Sequence, residues 1–266
     1  MLYSYIDPVA INLGFIDIRW YGIAYLLGFL WVLYMGKYSI DKKNITWIDK
    51  KQYENMLVNC MLAVLVGGRF GYILFYQFGL FIKEPWVLFK IWQGGMSFHG
   101  GLLGCFLFLL YYVRKNNLKF LNISDLIVVW VPLGLGLGRI ANFINGELWG
   151  RATNSDWGMV FPWVDDQLRH PSQIYEFFFE GLVLSLIMFY CWKNLFKIGQ
   201  STGVFLFFYG FFRFVIEFFR SPDQQIGFLF NINLTLGQLL SVPMIIGGIL
   251  LIRKSRGHCY NENIYN

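Results

Sequence analysis

Arg139, Asn142, Asn145, Glu147, Gly150 and Arg151 lie within one stretch of fourteen residues, GRIANFINGELWGR (138–151), where an apolar run ends. A guanidinium in a dry site can bind a phosphate through two parallel hydrogen bonds. Arg139 and Asn142 are three apart and share a helical face, and Asn145-Gly146 reads as a helix stop. A second stretch, YGFFRFVIEFFR (209–220), sets Tyr209, Arg213, Glu217 and Arg220 at i, i+4, i+8 and i+11, one stripe of a helix. Arg139 together with Arg213 would clamp one phospholipid headgroup. The plainer alternative is an Arg213–Glu217 pair that only neutralises itself.

His99, in GGMSFHGGLLG, is the one histidine in or beside an apolar run, since His170 falls in a loop and His258 in the tail. It could serve as a base or donate a single structural hydrogen bond, and its chemistry alone favours neither. Arg69, in GGRFGY, sits between small residues where a second helix or a headgroup can reach it. RHPSQIYE (169–176) reads as a helix start, with Ser172 as its cap. Cys60, Cys105 and Cys191 lie in apolar runs and Cys259 in the tail, with no CxxC or CxxH spacing. Neither a disulfide framework nor a metal site is expected.

The elements that position these groups are membrane helices. The chain of 266 residues is 56% hydrophobic and 14% charged, against roughly 25% charged in a soluble domain. Runs long enough to cross the hydrocarbon occur near 18–36, 55–77, 97–113, 124–143, 174–192, 202–219 and 235–252. Seven spans in a single domain (1–266) are therefore expected, with a loop insertion at about 145–173. Placing the N-terminus outside puts thirteen Lys and Arg in inner segments, from Lys37 to Arg256, against five outside: Lys83, Lys90, Arg151, Arg169 and Arg220. This bias predicts N-out, C-in. The N-terminus has no basic region or cleavage site of the kind that marks a cleaved signal peptide. The net charge of +6 is scattered between apolar runs, which argues against a nucleic-acid partner.

An arginine at the bilayer centre costs about 2.5–3.5 kcal/mol by insertion scales. In this topology Arg69, Arg139 and Arg213 fall in the outer halves of their spans, at the level of His99, Tyr21 and Glu217. That convergence predicts one cavity open toward the outer leaflet. A small lipid or solute transporter, the main alternative, would spread polar residues through both halves. Here the inner halves are apolar except for Asp125, which reads as a helix N-terminal carboxylate. An intramembrane hydrolase lacks its GxSxG or paired aspartates.

GRIANFINGELWGR, RWYGIAYLLGF, VGGRFGYILFY, GGMSFHGGLLG, RHPSQIYE, YGFFRFVIEFFR and LTLGQLLSVPM together resemble the prolipoprotein diacylglyceryl transferase family, in order along nearly the whole chain. Ala141 stands where that family commonly has glycine. The resemblance implies an enzyme of the bacterial inner membrane. It would move the sn-1,2-diacylglyceryl group from phosphatidylglycerol to the lipobox cysteine of a prolipoprotein signal peptide, releasing glycerol 1-phosphate. The family uses no metal or organic cofactor, and a monomer is expected. By motif, Arg139 and Arg213 would hold the phosphate and stabilise its departure, and His99 would be the candidate base for the thiol. Asn142, Asn145, Glu147 and Gly150 of the signature, with Tyr21 near the mouth, would contact substrate. Arg69, Tyr209 and Glu217 would support them.

Overall fold

Each apolar run is helical, and one of them is broken into two helices. The computed structural model describes residues 1–14, 17–90, 94–194, 197–222, 227 and 234–255; Arg256, His258 and Cys259 of the tail lie outside them. A short hairpin, β1 (Val9–Asn12) and β2 (Asp17–Arg19), leads into α1 (Trp20–Lys42). Then come α2 (Lys50–Tyr76), α3 (Phe78–Lys83), a 3-10 turn (Pro85–Phe89), α4 (Phe98–Lys115), α5 (Phe120–Val128) and α6 (Val131–Ile144). A second hairpin, β3 (Met159–Val160) and β4 (Leu168–Arg169), occupies the loop insertion. One helical run follows, made of α7 (Ser172–Glu176), a π-helical stretch (Phe177–Val183) and α8 (Leu184–Asn194). The chain continues with α9 (Gln200–Ile216) and α10 (Leu236–Lys254).

The protein is a helical, multi-pass membrane protein. By length and apolarity α1, α2, the run Ser172–Asn194 and α10 can each cross a bilayer, and the pair α5–α6, bent by 52°, makes a fifth. Of the remaining two expected runs, α9 has 17 residues, and α4 carries His99, Arg114 and Lys115 within its 18. The bend between α5 and α6 has a covalent cause. Pro132 has no N–H to return to the carbonyl four residues back, so α5 ends and α6 restarts.

Contacts divide the chain into two compact units, residues 36–123 and residues 1–35 with 124–266. In the first, α2 starts at Asp49, whose carboxylate accepts from Gln52 N at 2.7 Å, and α4 starts at Ser97, whose hydroxyl accepts from Gly100 N at 3.2 Å. The two helices pack closely through Gly71 and Gly100. Arg69 is buried at 4% exposure, and its five N–H donors all go to backbone carbonyls. The acceptors are Val87 (2.6 Å), Leu88 (3.3 Å), Lys90 (2.9 Å), Gly94 (2.5 Å) and Gly95 (3.2 Å). The expected access of a headgroup to Arg69 is thus corrected: its donors fold the loop between α3 and α4.

In the second unit the backbones of α1 and α6 meet at Gly28 and Gly134, and α6 meets the π-helical stretch at Gly136 and Gly181. A Cβ on Gly136 would lie 2.9 Å from Gly181 Cα, so any side chain there would push the helices apart. Gly138 faces open space. Asp125 is buried in mid-α5, not at the start of its own helix, and it caps α9. Its carboxylate accepts from Gly199 N (2.6 Å), Thr202 N (2.7 Å) and Thr202 Oγ1 (2.6 Å). Ser172 likewise departs from its expected capping role and donates to Leu148 O at 2.8 Å.

The loop insertion is tied down at both ends. Tyr3 is buried against Phe143, Phe161 and Trp163, and its hydroxyl lies 2.8 and 2.9 Å from the terminal α6 carbonyls of Phe143 and Ile144. Arg169 stacks 4.6 Å over Trp149, donates to Gly150 O at 3.2 Å, and grips Asp165 through two bonds of 3.0 and 2.5 Å.

Two outcomes follow from these contacts. Asp125→Ala strands the buried N–H groups of Gly199 and Thr202 at about 1–3 kcal/mol each, while Thr202 Oγ1 keeps Ser124 Oγ at 2.9 Å, so the apparent unfolding temperature in detergent should fall by several degrees; Asp125→Asn should recover part of the loss. The Arg169 guanidinium holds the Asp165 carboxyl below its usual range. A depressed carboxylate stabilises above its unfolded pKa of about 3.9 and loses that contribution as pH falls through the folded value. Limited proteolysis of the hairpin should therefore be flat from about pH 7 to 5 and rise only below about 4, and Asp165→Asn should remove that step.

Candidate active site

Where α6, the π-helical stretch and α9 come together, three arginines meet three glutamates. The contact at Gly136 and Gly181 brings α6 against the run that carries Glu176 and Glu180. Arg139, about one turn further along α6, reaches both carboxylates at 3.3 Å. Arg213 of α9 pairs with Glu176 and Glu217 and lies 3.8 Å from Glu180. Arg220 approaches Glu217 at 3.4 Å and Glu176 at 3.8 Å. Glu217 also accepts from Thr235 Oγ1 at 2.7 Å, in the cap of α10. Tyr209 stands within Coulombic range of Glu180, Arg139, Arg213 and Glu176.

Three guanidiniums against three carboxylates make this cluster neutral. That balance lets charge persist beside apolar helices, because an unpaired buried ion costs several kcal/mol. Glu176 and Glu180 are fully buried, whereas the side chains of Arg139 and Arg213 keep 19% and 13% of their surface exposed. Each guanidinium has five donors, and the carboxylates occupy only part of this capacity. The exposed edges leave donors that can take an anion.

Beside the arginines, Glu147 Oε1 accepts from Asn142 Nδ2 at 2.8 Å and Asn145 Nδ2 at 3.2 Å. Asn145 closes α6, and Gly146 and Leu148 follow with φ of +65° and +59°. A non-glycine residue in that region is held there by its surroundings. Here Ser172 bonds Leu148 O, and Gln173 Nε2 bonds Glu147 O at 2.6 Å. The PSQ segment thus fixes the signature loop. Gly150 is buried, its N–H bonds His170 O at 2.8 Å, and a Cβ there would lie 2.6 Å from Phe219 O. Its backbone packing alone demands glycine. Arg151 donates to the carbonyls of Arg220 (2.9 Å) and Glu217 (3.3 Å), tying the signature to the end of α9. Tyr21 is exposed, 3.2 Å from the Tyr25 hydroxyl and within Coulombic range of Glu147 and Arg139.

The structure therefore brings together Arg139, Arg213, Tyr209 and Glu217, with Asn142, Asn145, Glu147 and Tyr21 alongside. His99 and Arg69 belong to the other unit. There the His99 imidazole is exposed in the first turn of α4, with its ring edge-on to Phe98 at 5.6 Å. Sequence reasoning missed Glu176 and Glu180, although two carboxylates inside YEFFFEGLV are as costly in an apolar run as the arginines they answer. No group of three or more His, Cys, Asp or Glu side chains poised for a metal occurs among the described residues.

Residues 8–253 match the family model described as prolipoprotein diacylglyceryl transferase. The chain is 48% identical to the phosphatidylglycerol–prolipoprotein diacylglyceryl transferase of Aliivibrio fischeri, covering 99% of this chain and 93% of that one. It is 50% identical to the protein of the same name from Photobacterium profundum (93% and 92% covered) and 45% identical to that of Aeromonas hydrophila (94% and 91%). The transporter alternative finds no support among these relatives. The chain belongs to the prolipoprotein diacylglyceryl transferase family.

Proposed function

We propose that this protein transfers the sn-1,2-diacylglyceryl group of phosphatidylglycerol to the lipobox cysteine thiol of a prolipoprotein signal peptide, forming a thioether and releasing glycerol 1-phosphate. The observation that carries this reading is the family match along nearly the whole chain, met at its signature by a buried arginine cluster suited to one phosphate. In this reading the chain works as a monomer and a single integral domain of the bacterial inner membrane. It has seven spans, N-out and C-in, and its site lies toward the outer leaflet, where an exported cysteine and a lipid headgroup can meet.

The chemistry needs a phosphate held and its charge stabilised as it leaves. Arg139 and Arg213 supply the donors, and the carboxylates behind them fix the guanidiniums before substrate arrives, so little reorganisation remains at the moment of reaction. Glu217 holds Arg213, and Tyr209 stands behind both arginines. Asn142, Asn145 and Glu147 present one carboxylate and two amides to the glycerol hydroxyls of the headgroup. Tyr21 meets the lipid or peptide at the mouth, and Gly150 keeps the signature loop against α9. Arg69 acts at a distance by holding the loop before His99. His99 takes the thiol proton; a thiol of ordinary pKa about 8.5 needs only modest help beside cations.

Purified protein in detergent with phosphatidylglycerol and a lipobox peptide should release glycerol phosphate only when both are present. Arg139→Ala and Arg213→Ala should each lower kcat by on the order of 100-fold or more, the loss typical of removing a donor to developing charge. In folded protein, His99→Gln should lower kcat and flatten the acid limb of the pH profile. Full activity in Arg139→Ala would remove the phosphate clamp, and an unchanged pH profile in His99→Gln would make His99 structural.

A further inference from the structure

One carboxylate of the cluster has fewer partners than its role as a counter-ion requires. Glu176 is met by three guanidiniums, those of Arg139, Arg213 and Arg220. Glu180 is met by two, with Arg139 at 3.3 Å on Oε2 and Arg213 at 3.8 Å on Oε1. Both its oxygens are fully buried, and Oε1, like Glu176 Oε2, has no hydrogen-bond partner among the described residues; what sets Glu180 apart is that its two guanidiniums stand no nearer than 3.3 and 3.8 Å. The charged and titratable groups facing Glu180 are Arg139 from α6, Arg213 and Tyr209 from α9, and Glu176 on its own helical run. It is the most weakly paired carboxylate of a cluster whose three positive and three negative charges cancel.

A neutral cluster that accepts a phosphodiester becomes an anion in a low-dielectric site, which is costly unless a proton enters with it. We propose, resting on the transferase reading, that the lipid headgroup binds together with one proton, that Glu180 carries this proton, and that Glu180 is the general acid for the leaving phosphate. The cysteine thiolate attacks the terminal glyceryl carbon of the diacylglyceryl group, and the carbon–sulfur bond forms as the carbon–oxygen bond to phosphate breaks. The electron pair of that bond stays on the phosphate oxygen, which takes the proton from Glu180. The products are the thioether, a monoprotonated glycerol phosphate and the Glu180 carboxylate. The thiol has meanwhile lost its own proton to the base. One proton enters with lipid, one leaves from the thiol and one departs on the product, so the cycle closes. The second ionisation of a phosphate monoester lies near about 6, so a carboxylic acid is matched to this transfer.

The test is calorimetric titration of the purified protein with short-chain phosphatidylglycerol in two buffers of different ionisation enthalpy, paired with steady-state kinetics. Wild type should take up close to one proton per lipid. Glu180→Gln, which mimics the protonated acid but cannot give up its proton, should bind lipid with no uptake. Its KM should be unchanged or lower, and its kcat should fall by on the order of 100-fold. A carboxylate that merely positions Arg139 would lower binding and turnover together and leave uptake intact. Wild-type binding without proton uptake, or undiminished kcat in Glu180→Gln, overturns the proposal. If the glutamine variant does not fold, Glu180→Asp decides: a displaced pH midpoint of uptake supports Glu180, and an undisplaced one contradicts it. Wild type that neither binds the lipid nor releases glycerol phosphate would remove the transferase reading itself.

Discussion

Charge buried beside apolar helices must be answered by charge from the protein itself, and the rest of this structure follows from how that is done. Arg139 and Arg213 stand on different helices, and little of either side chain is exposed. Glu176 and Glu180 answer both from a third helical run. Because ion pairs in such a site are strong only at short range, the three helices must approach closely. Gly136 and Gly181 allow that approach. The π-helical stretch over Phe177–Val183 contains Glu180 and Gly181, so the irregular turn, the close contact and the ion pair share one place. Single π turns are frequently found at functional sites, and here the turn carries the carboxylate with the fewest partners.

The supporting elements serve the same end. Asp125 pins the start of α9, two to three turns before Tyr209 and Arg213, by taking three hydrogen bonds around Gly199 and Thr202. Glu217 and Thr235 join the far end of α9 to the cap of α10. Tyr3 and the PSQ segment hold the end of α6 and the loop after it. Each fixes a helix end, and the helices fix the guanidiniums. In many enzymes, donors held in place around a departing anion lower the barrier more than any other single effect. A lattice of this kind provides such donors.

Much of this was legible in the sequence. Apolar runs located every long helix, since hydrocarbon leaves the backbone few alternatives to a helix. The arginines, Asn142 and Glu147 could be picked out because such residues are expensive in an apolar context. Other features were not legible. The bend at Pro132 needed the recognition that one run holds two helices. Asp125 sits far in sequence from the helix it caps, so no local pattern reveals its partner. Arg69 reads like a ligand-binding cation until its five acceptors are seen to be backbone carbonyls between α3 and α4. Glu176 and Glu180 carried a readable signal, two acids in an apolar run, but the helix start suggested by Pro171 and Ser172 is the more conspicuous pattern there.

The central claim is that the exposed edges of the Arg139 and Arg213 guanidiniums, held from behind by their carboxylates, bind one lipid phosphate. The most direct measurement is a cryo-electron microscopy structure of the protein in lipid nanodiscs containing phosphatidylglycerol. The account predicts phosphate density within bidentate hydrogen-bonding distance of both guanidiniums, with Glu176 and Glu180 still behind them. Headgroup density bound elsewhere, with Arg139 and Arg213 engaged only by their glutamates, would contradict it.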